Sequence, residues 1–170
     1  MRSRTFGLLQ IEDNVGKGST MTVLRTVHST AGAIALFTVA TFWISTVLSE
    51  TLGSVASVVA VKSAIPWGFL ILVPAVMTTG RSGFLLSKGR RGGLVGAKIK
   101  RMPIFMLNGL LVLIPSAFYL ASKAKSEAFD TGFYSVQVLE LLAGTVNLTI
   151  LGLNTRDGLK MTGRLRRRPA

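Results

Sequence analysis

The chain has no cysteine and a single histidine, His28. The first absence excludes disulfides, thiolate zinc sites, iron–sulfur clusters and cysteine nucleophiles. The second excludes a multi-histidine metal site built within one chain. Acidic residues are scarce, 7 against 20 lysines and arginines in 170 residues, so paired carboxylates for acid–base work have few places to arise. What is abundant is apolar: 49% of residues are hydrophobic and the mean hydropathy is +0.51. A soluble enzyme of this size does not carry such a balance, and neither does a disordered chain, which lacks apolar surface to bury.

Charge-free runs define the organisation. Arg25 and Glu50 bracket 24 uncharged residues, Lys62 and Arg81 bracket 18, and Arg101 and Lys123 bracket 21. A fourth run of 25, Thr131 to Thr155, is interrupted only by Glu140. A helix crossing the hydrocarbon core needs about 20 predominantly apolar residues. The uncharged stretch 53–61 lengthens the second segment, so the spans are expected at 26–49, 54–80, 102–122 and 131–155. None shows a polar face of the kind a soluble bundle needs; between Ile104 and Leu120 the only strongly polar side chain is Asn108. The expected fold is an all-α integral membrane four-helix bundle, antiparallel and up-down, occupying residues 23–155. A flexible tail is expected at 1–22, a basic loop at 81–101, a short outer loop at 123–130 and a basic tail at 156–170.

The distribution of charge orients the bundle. Seventeen of the 20 basic residues fall in the N-terminal tail, the 81–101 loop and the C-terminal tail. The other side holds Lys62, Lys123 and Lys125, offset by Glu50, Glu127 and Asp130. Lysine and arginine flanking spans are retained in the cytoplasm, so both termini are expected there, as an even number of spans also requires. The same distribution accounts for the net charge of +13 without nucleic acid, because the basic segments have few aromatic residues for base stacking. The bilayer is the expected partner, with Arg164, Arg166, Arg167 and Arg168 against anionic headgroups. The first run is too long for a signal-peptide core and is followed by no small-residue cleavage site; it reads as a retained span. Met21 opens a segment that reads as a natural start, leaving residues 1–20 as an extension. The loop 80–101 is rich in glycine and lysine but does not spell a phosphate loop, since Ala97 separates Gly96 from Lys98 and no serine or threonine follows.

Polar residues inside the spans are the candidate functional residues, because each is costly in hydrocarbon unless paired. With the cytoplasmic end of each span as zero, Asn108 lies ~9 Å and Asn147 ~12 Å deep by helical rise. The third and fourth spans are sequence neighbours, so these amides are expected to bond across their interface. Glu140 lies ~22 Å and Lys62 ~27 Å deep, which predicts an ion pair with Lys62 snorkelling outward and Glu140 facing the bundle. Trp43, Tyr119 and Tyr134 fit an outer aromatic belt. Pro66, Pro74 and Pro115 remove backbone donors inside spans, whereas Pro103 falls in a first turn, where it is tolerated. No serine or threonine has a histidine–carboxylate partner at its depth, so hydrolysis is not expected. His28 opens the first span at its cytoplasmic boundary. It is the candidate ligand for haem iron or a quinone oxygen, with Gly32 one turn on leaving room for a flat ring.

The stretch Leu24 to Leu36 (LRTVHSTAGAIAL) resembles the opening helix of cytochrome b561-like membrane subunits. That resemblance implies b-type haem held near His28, with the second ligand from another chain because only one histidine is present. The whole chain is similar to small bacterial four-span inner-membrane proteins, which implies a multi-pass protein of the bacterial cytoplasmic membrane. Three functions are carried forward. The first is a non-enzymatic accessory or assembly subunit acting through helix–helix contacts with other membrane subunits or copies of itself, using small residues such as Gly32, Ala33 and Gly144. The second is an electron-transfer subunit binding haem b or quinone near His28. The third is a small transporter or channel using Glu140, Asn108 and Asn147.

Overall fold

The computed structural model describes residues 2–89 and 92–163, with side chains from Gly18 onward. Arg164, Arg166, Arg167 and Arg168 lie outside the described residues, and so do the side chains of most of the expected tail 1–22. The described part is all helix and turn: α1 (Arg2–Leu52), α2 (Val55–Ser87), α3 (Gly93–Asn108), a π-helical turn (Gly109–Leu113), α4 (Ile114–Lys125) and α5 (Thr131–Met161). α3, the π turn and α4 run on as one span, so four helical segments are long and apolar enough to cross a membrane: 18–52, 55–87, 93–125 and 131–161. The chain is an integral four-helix membrane protein.

The helices are longer than the charge-free runs. α2 continues to Ser87 and α3 begins at Gly93, so most of the expected loop 81–101 is helical and the connection narrows to a few residues around Gly89 and Gly92. α5 likewise runs through Asp157 to Met161, into the expected tail. The reason is that charge ends a hydrophobic run but does not end a helix. Lysine and arginine are good helix formers, and at a membrane boundary their backbones gain from continuing the hydrogen-bond ladder. The actual breaks carry stop and start chemistry. Lys88 adopts a left-handed conformation after α2, with Gly89 and Gly93 also at positive φ. Ser54 caps α2 through Ser57 N–H, and Asp130 caps α5 by accepting from Phe133 N–H at 2.9 Å. Pro103, expected in a first turn, sits well inside α3.

α1 packs along α2, α2 along α4, α4 along α5, and α5 closes back on α1. Around that ring the interior divides into two apolar clusters. One centres on Val39, Phe105, Ile150 and Leu151; the other on Val58, Leu120, Ala124 and Phe133. Outward, large apolar side chains face away from the bundle, as a lipid-facing surface requires: Trp67 is 72% exposed and Phe84 81%. The π turn lies just before Pro115. There the N–H of Ile114 reaches back five residues to Gly109 O, and the widened turn makes room for a proline ring that would crowd an ordinary α turn.

At Gly68 an added Cβ would fall within the Phe42 ring, which also packs edge-on against Phe69 at 6.0 Å. Gly68→Ala is therefore expected to cost about 1–3 kcal/mol by overpacking. Phe42→Leu should recover most of that loss in a double-mutant cycle read by unfolding in detergent. The Asp130 carboxyl accepts from Lys123 Nζ and from Phe133 N–H, and these hydrogen bonds hold its pKa below the usual aspartate value. Its capping contribution is thus full above the ordinary pKa of about 3.9 and fades as pH falls through the lowered one. Acid titration should fray the start of α5 in the wild type, whereas Asp130→Asn, which keeps a capping oxygen, should remove that pH dependence.

Candidate functional site

The polar groups of the bundle are gathered into three layers. At the end where α3 begins, Asp157 is buried at 1% exposure and accepts from Arg101 at 2.7 Å, with Arg156 Nε 3.7 Å from its other oxygen. Lys98 Nζ approaches Gly158, the next residue along α5 after Asp157. Nearby, His28 Nδ1 lies 3.1 Å from Thr79 O and 3.0 Å from Ser82 Oγ, with the imidazole packed over Gly83. Bonding to the carbonyl requires Nδ1 to be the protonated nitrogen, which leaves Nε2 as the acceptor of the neutral ring. The space beside Gly32, read from sequence as room for a flat ring, faces Thr79 of α2. His28 therefore ties α1 to α2.

The middle layer is the amide pair. Asn108 Nδ2 donates to Asn147 Oδ1 and to Ala143 O, both at 2.8 Å, and Asn147 Nδ2 reaches Phe105 O at 3.5 Å. Asn147 is 1% exposed. The contact falls where α3 passes into the π turn, with Gly109 beside the Asn147 amide.

At the far end Lys62 Nζ lies 2.5 Å from Glu140 Oε2. The lysine does not snorkel. It is 1% exposed, turned into the bundle, while Glu140 keeps 12% exposure. Snorkelling carries an ammonium to water, but here a carboxylate at hydrogen-bond distance is the nearer partner, and a charge in hydrocarbon takes the partner it can reach. Glu50 of α1 lies within electrostatic reach of both, and its Oε1 is buried without a hydrogen-bond partner. Gln137, one turn before Glu140, is 4% exposed and neither amide atom has a partner. Trp43 also belongs to the interior. Its indole N–H is shared between Leu141 O and Thr145 Oγ1, both at 3.2 Å, and its ring packs on Gly144. The expected belt position gives way because α1 and α5 are close enough to offer the indole a carbonyl.

Depth along the helices thus brings Lys62 to Glu140 and Asn108 to Asn147, but it does not bring His28 to either pair. Sequence reasoning missed Asp157, Glu50 and Gln137. Asp157 had a legible signal, as the only acid after Glu140 in a strongly basic segment. Glu50 and Gln137 had none, because nothing in one chain tells which face of a helix turns inward. Among the described residues, no group of three or more histidine, aspartate or glutamate side chains is placed to hold a metal ion. No known family, curated protein or solved structure gives a significant match to the chain.

The ion pair and the amide pair differ sharply in consequence. Removing one member of a buried pair strands the other, at a cost of about 3–5 kcal/mol. Interhelical polar bonds in membranes average only about 0.6 kcal/mol. Lys62→Met and Glu140→Met should each strongly lower resistance to unfolding by sodium dodecyl sulfate, while the double replacement restores most of it. Asn108→Leu should change it little. A charge-swapped chain, Lys62→Glu with Glu140→Lys, should unfold later than either single reversal if the two charges act on each other.

Proposed function

We propose that this protein is a non-enzymatic subunit of the bacterial cytoplasmic membrane, an accessory or assembly protein acting through helix–helix contacts. Its basic end, with both termini, faces the cytoplasm, as the positive-inside bias favours. The observation that carries this reading is an outward-facing strip of small residues on α5. Thr145, Thr149 and Gly152 are exposed along one face, and nothing lies within 4 Å of a Cβ added at Gly152. The threonine hydroxyls bond back to Leu141 O and Thr145 O, so the strip does not depend on water. A lipid-facing surface has no need of short side chains, whereas a second helix does, because small residues let backbones approach and gain van der Waals contact. Ser29 and Ala33 continue the theme on α1, where both are exposed. Gly32 and Gly144 serve contacts inside the chain, with Thr79 and Trp43.

The absence of native cysteine makes the test direct. Gly152→Cys in native membranes should cross-link readily under oxidation or with a bifunctional thiol–amine reagent, and Leu70→Cys on the lipid-facing side of α2 should not. A product of twice the chain mass identifies self-association, and a different mass identifies another subunit. Equal, low cross-linking at both positions would overturn the proposal.

A second reading, transport through Glu140, is favoured by one observation: the unpartnered Glu50 Oε1 and Gln137 amide are polar atoms of the kind that buried water satisfies. Gln137→Cys should react with a small water-soluble thiol reagent if a wet path reaches this layer, and should stay unreacted if the bundle is closed there.

A further inference from the structure

Between the helices lies a cavity of about 360 Å³, walled mainly by apolar side chains. Along the third span its lining runs from Phe105 to Ala117, about 18 Å by helical rise. That is close to the depth of one leaflet, half of a hydrocarbon core about 30 Å thick. The volume is at the small end of the range for ligand sites, about 300–1,000 Å³, and suits one chain better than a broad ring system. The cavity exists because α2 packs against the third span chiefly through α4, leaving its partnership with α3 slight. Where the two diverge, the lining becomes lipid-facing: Met77 on one side and Met106, Leu107 and Leu110 on the other are all more than half exposed. The mouth therefore opens sideways, into the bilayer. Inside, the only formal charge on the wall is Glu140, already held by Lys62, so no charged group is invited to the deep end.

The surroundings of the mouth say what the occupant carries at its other end. Arg81 lies one turn beyond Met77 on the same face of α2, and Lys100 lies two turns before Leu107 on the same face of the third span. Both are exposed, and both stand on the side of the mouth toward the basic end of the bundle. A molecule with a hydrocarbon chain and an anionic head, lying as lipids lie, would seat its chain in the cavity and its phosphate between these two bases. We infer that the cavity is a binding site for one acyl chain of an anionic phospholipid, whose headgroup is held by Arg81 and Lys100.

The chain carries its own reporters. Trp43 lines the cavity, whereas Trp67 is 72% exposed toward lipid, and these are the only two tryptophans. The Trp67→Phe protein is reconstituted in phosphatidylcholine vesicles containing a minor fraction of either phosphatidylglycerol or phosphatidylcholine with brominated acyl chains. Brominated phosphatidylglycerol should quench Trp43 at a fraction on the order of tenfold lower than brominated phosphatidylcholine, the preference expected of two surface-level bases. Arg81→Gln with Lys100→Gln should erase that preference. Val73→Phe with Leu110→Phe, which narrows the mouth, should weaken quenching by both lipids while the helical circular dichroism is kept. The Trp43→Phe protein, reporting from Trp67, should show little preference. Equal quenching of Trp43 by the two lipids, or quenching indifferent to the narrowed mouth, would overturn the proposal. So would an unquenched Trp43 in protein whose native mass spectrum shows a neutral isoprenoid retained in place of phospholipid.

Discussion

An ammonium and a carboxylate buried inside a membrane protein have no water to fall back on, and the Lys62–Glu140 pair meets that condition at 2.5 Å. Much else in the bundle is arranged around it. α2 and α5 must present these residues to each other, which sets their relative rotation. That rotation turns Phe133 and Val58 into the apolar cluster on one side of the pair and the Asn147 amide and Ile150 toward the other cluster. α1 contributes Glu50 to the same neighbourhood and fastens its own position with Trp43 on Gly144. An isolated ion pair is weak evidence of stability, but it is strong evidence of register, because a helix sliding by one turn would strand both charges.

The layering follows the same logic. Each polar layer ties the last span to an earlier one: Arg101–Asp157 at one end, Asn108–Asn147 in the middle, Lys62–Glu140 at the other. α5 is thus the helix through which the others are indexed, and three of its buried side chains are polar: Gln137, Asn147 and Asp157. Its outward face mixes exposed large apolar residues such as Val138, Leu139 and Leu142 with the short side chains Thr145, Thr149 and Gly152.

Spans and pairings were legible in the sequence because two simple rules govern them. A hydrocarbon slab sets the length of an apolar run, and helical rise converts residue count into depth, which was enough to match Asn108 with Asn147 and Lys62 with Glu140. Helix ends were less legible. Charged residues at the boundary suggest loop, yet the Lys98–Arg101 stretch and Arg156–Lys160 are helical, since the backbone's need for partners outlasts the apolar run. Azimuth was the least legible quantity. The direction of Lys62 and the interior placement of Trp43, Glu50 and Gln137 depend on which helix stands beside which, and that information lies between segments of the chain.

The π turn at Gly109–Leu113 changes the phase of the third span. Phe105 and Ala117, twelve residues apart, would stand about 120° out of step in an unbroken α-helix at roughly 100° per residue. One extra residue in the wide turn absorbs about 100° of that, so both face the interior, as their burial at 5% and 2% records. The third span is thus two half-helices joined with a one-residue offset, each correctly aimed at its own layer. A single-residue gap there would leave Phe105 and Ala117 eleven residues apart, about 20° out of step in an unbroken α-helix, so natural variants of this bundle should lose the wide turn while the core positions on both sides keep their faces.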